Sequence, residues 1–390
     1  MKVAVPKEIA SGERRVSLVP ETVAKFVSAK LEVLVEAGAG EQAGFPDTAY
    51  QEAGAAIVAD TAKLYQQAEL VLKIQKPLPN QALGKHEMDL LPKGSALVAF
   101  LQPLTNPDLV KQLAERGVTA FSMDAIPRIT RAQSMDALSS MSTVAGYKAV
   151  LTAANALPRF FPMFMTAAGT VRPAKAMVLG AGVAGLQAIA TAKRLGAVVE
   201  AFDVRPVVRE QVQSLGARFL EVDLGHEDTQ DAGGYAKELS PEHVRLEREL
   251  IHKHVKDADV VITTALIPGK PAPVLVTEEM VKDMKPGSVI VDLASEAGGN
   301  CPLSKAGEDV VRHGVLIMGP LNLPASLPYH ASQMYSRNMA AFLLNMVKEG
   351  ELNLNFEDEI IRDTCLTHEG KILHEQTRAK LEGASVKGAS

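Results

Sequence analysis

Short apolar runs that alternate with helical patterns along most of the 390 residues predict an α/β fold built on doubly wound, mostly parallel sheets. The length predicts two domains, because a single domain typically spans roughly 100–200 residues. A third observation tells the two apart. A glycine triplet joining a strand to a helix stands in the middle of the chain, and the first 145 residues lack it.

Within those first 145 residues, Val3–Val5, Leu31–Val35, Leu70–Ile74, Ala96–Leu101 and Val118–Ser122 have the length and apolar content of buried strands. Pro20–Ser28, Asp47–Ala53 and Asn106–Arg116 have helical spacing between them. The expected result is a parallel sheet covered on both faces. A polar loop follows, Ala125–Asp136, and then a helical stretch from about Ser139 to Leu157.

Residues 174–206 organise the rest. Ala176–Leu179 is a short apolar run, Gly180, Gly182 and Gly185 stand in G-x-G-x-x-G spacing, and Val183–Leu195 is helical and closed by Gly196. Val198–Phe202 is a second apolar run and ends on Asp203. Each part of this order has a chemical use. Gly180 permits the tight turn, Gly182 lets backbone approach a pyrophosphate, and Gly185 lets helix and strand pack closely. The diphosphate of a dinucleotide then meets free N–H groups at the positive helix end. A carboxylate at Asp203 accepts both ribose hydroxyls and repels a 2′-phosphate, which favours NAD(H), although Arg205 nearby could pair with such a phosphate. The strand-end carboxylate decides for NAD(H). With a dinucleotide expected, the loop carrying Arg128, Arg131, Gln133 and Asp136 is either a solvated connection or a set of donors for the nicotinamide end.

Beyond Asp203, Pro206–Leu215 is expected as helix and Ala217–Val222 as strand. Residues 223–242 break the alternation, with Gly225, Gly233 and Gly234 ahead of Tyr235. A hinged lid and a plain surface loop both fit such a stretch. Helix from Pro241 to about Lys256 follows, then strands at Asp259–Thr264, Ser288–Leu293 and Val315–Met318, and a helical pattern from Ser326 to about Glu349. The small polar ending, Arg378–Ser390, is expected to fray. These bounds give one domain of residues 1–145 completed by 330–390, and a dinucleotide-binding domain of 146–329.

Composition narrows the function classes. A formal net charge of −5 and the lack of a basic run with interleaved aromatics argue against nucleic acid. No stretch of eighteen uncharged apolar residues occurs, and the start resembles a strand rather than a signal peptide. Cys301 and Cys365 belong to no metal or redox spacing and fit buried thiols in a reducing cytosol. A cytosolic chain is expected.

Four stretches together resemble the alanine dehydrogenase/transhydrogenase family: PRITRAQSMDALSS (Pro127–Ser140), VLGAGVAGLQAIATAKRLGA (Val178–Ala197), GGYAKE (Gly233–Glu238) and TTALIPGKPAP (Thr263–Pro273). Within it they resemble most the NAD(H)-binding component, on the alpha subunit, of proton-translocating NAD(P) transhydrogenases. The resemblance covers essentially the whole chain. It implies two Rossmann-like domains flanking a cleft, in a homodimer. It implies that Arg128, Gln133 and Asp136 contact the nicotinamide and its ribose, with Ser139 close by, and that a mobile loop brings Tyr235 over the nucleotide. The implied cofactor set is Gly180, Gly182, Val183, Ala184, Gly185, Asp203, Val204, Arg205, Gly234, Tyr235, Ala265 and Leu266. NADP(H) would be held by a partner subunit and protons moved by membrane-embedded ones, placing this chain against the inner face of the cell membrane.

The departures separate the two branches. Alanine dehydrogenases surround their substrate with arginine, lysine, histidine and aspartate. Arg15 matches the arginine, but Gln75 and Gln102 stand at the lysine and histidine positions and Glu296 at the aspartate. Glutamine neither moves a proton near neutral pH nor supplies charge to a carboxylate. Direct hydride exchange between nicotinamide rings needs no acid or base, only positioning. That is the expected activity, ahead of an amino acid dehydrogenase or a non-catalytic NAD sensor.

Overall fold

Both faces of the two main sheets are covered at their central strands, of which Leu70–Leu72, Ala96–Ala99, Val260–Thr263 and Val289–Asp292 are buried at every position. In the computed structural model, which describes residues 1–222, 240–267 and 269–387, the chain divides into two compact units. One comprises Met1–Met141 with Pro324–Ser390, the other Ser142–Leu323.

The first unit holds an eight-stranded sheet. From one edge its order is Lys371–Ile372, Cys365–His368, Thr119–Ser122, Ala96–Ala99, Leu70–Leu72, Lys2–Val5, Glu32–Glu36 and Ala56–Val58. The six strands from the first 141 residues run parallel, and Cys365–His368 adds antiparallel to Thr119–Ser122. Later residues thus complete this sheet. The helix Pro328–Met346 also belongs here, with Tyr335, Met339, Phe342 and Leu343 fully buried. Within the ending expected to fray, 388–390 lie outside the described residues, and Arg378–Lys387 is instead part of the helix Glu375–Lys387. His374 Nδ1 accepts the Thr377 N–H at its start, and Lys380 Nζ donates to Leu104 O at 2.8 Å. A cap and a tertiary anchor order a segment whose composition alone suggests a loose tail.

The second unit holds a seven-stranded sheet, ordered Arg218–Leu220, Val198–Phe202, Lys175–Leu179, Val260–Thr263, Val289–Asp292, Val315–Met318 and Asp309–Arg312, all parallel except the last. Side chains alternate between two cores. Ala176 and Val178 join Val199, Ala201, Val260 and Ile262 against helices that carry Val150, Ala188 and Ile189. Met177 and Leu179 join Phe202, Val261 and Ile290 against Ile251, Val255 and Met280. This two-sided burial explains why the strand sequences are apolar at consecutive positions. From Lys175–Leu179 the chain first adds strands to one side, then returns to add them on the other. The switch point therefore lies between the carboxyl ends of Lys175–Leu179 and Val260–Thr263, where open α/β sheets bind ligands. No helix among the described residues is long and apolar enough to cross a membrane.

Candidate dinucleotide site

At that switch point the glycines do what their spacing predicts sterically. Gly180 has φ +95°, in the left-handed region, and its N–H donates to Phe202 O at 2.8 Å. A Cβ on Gly185 would lie 1.8 Å from Gly180 O, so only hydrogen lets the helix Val183–Arg194 sit on the turn. Gly182 is the N-cap of that helix and makes no side-chain cap bond. A Cβ on Gly182 would meet nothing within 4 Å. Val183 is exposed and Ala184 half-buried. The arrangement is an uncapped helix N-terminus with open space before it, which fits a diphosphate.

Two residues that sequence patterns did not single out hold this turn. Thr264 Oγ1 donates to Gly180 O at 3.1 Å or Leu179 O at 3.3 Å, tying together the two strands at the switch point. Gly146, in the helix Ala137–Ala156, passes so close that an added Cβ would lie 2.0 Å from Ala184 O. A lone glycine in an apolar helix was the available signal.

On the neighbouring strand end, Asp203 is only 8% exposed. Its Oδ2 accepts the Ala181 N–H at 2.7 Å and Arg205 Nη2 at 2.8 Å, and its Oδ1 accepts the Arg205 N–H at 2.9 Å and Nε at 2.8 Å. Val204 packs partly against the core shared with Phe202. Glu247 is a further carboxyl at this end that sequence inspection missed. It is 6% exposed, and its Oε1 has no hydrogen-bond partner among the described residues. Burial pushes its pKa up to about 7, with the Asp203 charge adding to the rise and His243 opposing it. Since the folded value lies above the ordinary 4.5, the stability held by the protonated form is full below 4.5 and is lost as pH rises through about 7. Glu247→Gln is therefore expected to remove the loss of melting temperature between pH 5 and 8. Parallel wild-type and variant curves over that range would contradict the assignment.

Ala265 and Leu266 follow the strand Val260–Thr263, with Leu266 47% exposed. Ala265 is gripped by the fully buried Asn300: its N–H donates to Asn300 Oδ1 at 3.1 Å, and Asn300 Nδ2 donates to its carbonyl at 2.9 Å and to Pro273 O at 2.8 Å. Asp292, also fully buried, accepts from Thr263 Oγ1, Ala294 N, Cys301 N and Ser304 Oγ. These two side chains fix Ala265, the Pro273 carbonyl and the 294–301 turn. Gly233, Gly234 and Tyr235, the expected lid, lie outside the described residues.

Arg128, Gln133, Asp136 and Ser139 belong to the first unit and the glycine set to the second. Arg128 and Gln133 are exposed, Asp136 and Ser139 half-buried. Asp136 caps the helix Ala137–Ala156: Oδ1 accepts the Ser139 N–H at 2.8 Å and Oδ2 the Ser139 hydroxyl at 2.5 Å. The short 3₁₀ turn Thr130–Met135 before it is held from two sides. Asn338 Nδ2 donates to Ser134 O at 2.8 Å, and the Arg131 guanidinium forks onto Asp358, whose carboxyl it holds well below the usual range.

Arg15 is 3% exposed and engaged by the chain itself: Nε donates to Glu13 Oε1 at 2.7 Å and Nη2 to Glu13 Oε2 at 2.5 Å. Gln75 Nε2 donates to the same Oε2 at 2.7 Å. Beside them Lys73 is buried between Glu87 at 2.8 Å and Glu8 at 3.2 Å. Burial works against that ammonium, but the two carboxylates outweigh it and raise its pKa. Gln102 adopts φ +49°, and Glu296 is exposed. Cys301 and Cys365 are free and buried, their thiols pushed up to about 11 and about 12 by burial.

Comparison with known proteins is consistent with this geometry. Residues 4–145 match the family model described as alanine dehydrogenase/PNT, N-terminal domain, and residues 149–375 the corresponding C-terminal domain. The latter match runs past Pro324, where the chain returns to the first unit, so the family division is contiguous and the spatial one is not. The chain is 51% identical over 377 residues to an NAD(P) transhydrogenase subunit alpha chain of Rhodospirillum rubrum, covering 96% of this chain and 98% of that protein. It is 32% identical over 381 residues to the alanine dehydrogenase of Halomonas elongata, covering 96% and 95%. A solved structure of a transhydrogenase from Sinorhizobium meliloti superposes with a TM-score of 0.82 at 43% identity, covering 96% of this chain and 99% of that one. With both domain models matched in order along nearly its whole length, the chain belongs to the alanine dehydrogenase/PNT family.

Proposed function

We infer that this chain is the NAD(H)-binding component of an NAD(P) transhydrogenase. It exchanges hydride directly with NADP(H) held by a partner subunit, coupled to proton movement through separate membrane subunits. The observation that carries NAD(H) binding is the uncapped helix N-terminus at Gly182, set at the sheet's switch point beside the Asp203 carboxylate. Gly180, Gly182, Val183, Ala184 and Gly185 would hold the diphosphate, Asp203 and Val204 the adenosine ribose with the Arg205 guanidinium beside them, and Ala265 and Leu266 the middle of the molecule. Gly234 and Tyr235 would cover it. Bound there, the nicotinamide ring supplies or accepts the hydride.

Arg128, Gln133, Asp136 and Ser139 orient the reacting end and exclude water from it. No group needs to move a proton at the transferring carbon, and Gln75 and Gln102 replace the titratable residues of the dehydrogenase branch. Arg15, which matches that branch's arginine, already grips Glu13. An amino acid substrate's carboxylate would have to compete with Glu13 for that guanidinium. The working assembly is a homodimer at the inner membrane face, joined to its membrane-embedded and NADP(H)-binding partners.

Charge-assisted hydrogen bonds are worth roughly 1.5–3 kcal/mol each. Asp203→Asn is accordingly expected to weaken NADH binding by about ten- to a hundredfold in titration calorimetry, taking ~1.4 kcal/mol per decade. Equal affinity of the intact chain for NADH and NADPH would remove the cofactor assignment.

A further inference from the structure

An ionised carboxylate offers about four lone-pair sites, and at Asp203 all four are taken. Two donors are backbone N–H groups, from Ala181 and Arg205, at 2.7 and 2.9 Å. The other two are Nε and Nη2 of the Arg205 side chain, both at 2.8 Å. A ribose diol also brings two donors. The backbone pair is fixed by the glycine turn and the strand end, so only the guanidinium can yield its places.

We propose that Arg205 is a specificity-determining residue that competes with the cofactor's adenosine ribose for Asp203, weakening the grip on NAD(H) and narrowing the preference over NADP(H). This rests on NAD(H) binding at the switch point. The exchange for a 2′,3′-diol is one for one: two O–H donors replace two N–H donors, and the guanidinium's charge-assisted bonds are lost. For a nucleotide with a 2′-phosphate the balance differs. Its phosphate cannot donate to Asp203, but the same guanidinium offers it a cation and a fork of donors. Arg205 therefore opposes the diol ligand and tempers the repulsion that Asp203 exerts on the phosphate. Without Arg205, the carboxylate is open to hydroxyls and uncompensated towards phosphate.

The test uses the full chain and titration calorimetry with NADH, NADPH and ADP-ribose. Arg205→Met keeps the aliphatic stem and removes the donors. It is expected to tighten NADH and ADP-ribose by about tenfold, the scale of a partly exposed charged pair. NADPH affinity is expected to stay level or fall, so the NADH/NADPH ratio widens. Arg205→Lys, which keeps the charge but not the fork, should fall between wild type and Met, and it carries the test if the Met variant misfolds. Weaker binding of NADH and ADP-ribose in these variants would overturn the proposal, making Arg205 an ordinary cofactor contact. Equal changes for NADH and NADPH would also overturn it. If the intact chain binds no NADH, the reading beneath the proposal falls, and the proposal with it.

Discussion

Gly185→Ala is expected to abolish measurable NADH binding and to destabilise the second unit by ~3 kcal/mol or more, at the upper end of overpacking costs. The added methyl would sit 1.8 Å from Gly180 O and 2.8 Å from Gly180 C. Neither is the end of a flexible side chain, so relief requires the helix Val183–Arg194 to lift from the strand Lys175–Leu179. Lifting it opens the core where Ala188, Ile189 and Ala192 are fully buried. It also rotates the free N–H groups away from the position that would hold a diphosphate. Gly182→Ala is the informative companion. Its backbone, at φ −73° and ψ −168°, suits alanine, and the methyl meets nothing within 4 Å. The fold should keep its melting temperature while NADH binding falls by at least about tenfold, because the methyl occupies the path of the ligand rather than of the protein. Thermal melting and calorimetry on both variants separate the two effects. A Gly185→Ala chain that melts and binds normally would show that the close contact relaxes without cost.

The contrast between these two glycines shows what a sequence carries. Spacing marked both, because a tight turn and a close approach each demand the absence of a side chain. The parallel strands were legible for a related reason: a run such as Ala176–Leu179 is apolar at every position only when both sheet faces are covered. The edge strand Ala56–Val58 escaped notice, being three residues long and partly exposed. The pair Cys365–His368 and Lys371–Ile372 escaped because it gains its partner, Thr119–Ser122, from a segment over 240 residues earlier. Asn300, Asp292 and Glu247 were silent for the same reason, since a buried polar side chain has meaning only through partners that the fold brings to it. Arg205 was ambiguous in sequence, a possible ligand for a 2′-phosphate. Its fork on Asp203 gives it a different first partner. Asp136 came forward as part of a polar loop and Ser139 through family resemblance, yet D-x-x-S at a helix start also spells the cap that they form.

That cap decides which variant tests the nicotinamide-end assignment. Asp136→Ala would cost about 1 kcal/mol as a lost N-cap, so a lower rate there would mix a shifted helix with lost cofactor contacts. Gln133 is free of this difficulty. It is exposed on the 3₁₀ turn, while its neighbours Ala132 and Met135 are buried and the Ser134 carbonyl is held by Asn338. Gln133→Asn keeps the amide, shortens its reach by one methylene and leaves that scaffold intact. The adenosine and diphosphate half would still be bound by Gly180–Gly185 and Asp203, so the NADH dissociation constant should move only a few fold. Rate is another matter, because under the proposed function positioning is all that this chain would contribute to ring-to-ring transfer. A displacement of about 1 Å can cost on the order of a hundredfold. With partner subunits and NADP(H) present, single-turnover transfer should therefore fall by at least about tenfold and towards that limit. Arg128→Ala should slow transfer similarly and lose more affinity, because it removes a cation from the same end. A Gln133→Asn chain that transfers hydride at the wild-type rate would show that this loop does not position the nicotinamide.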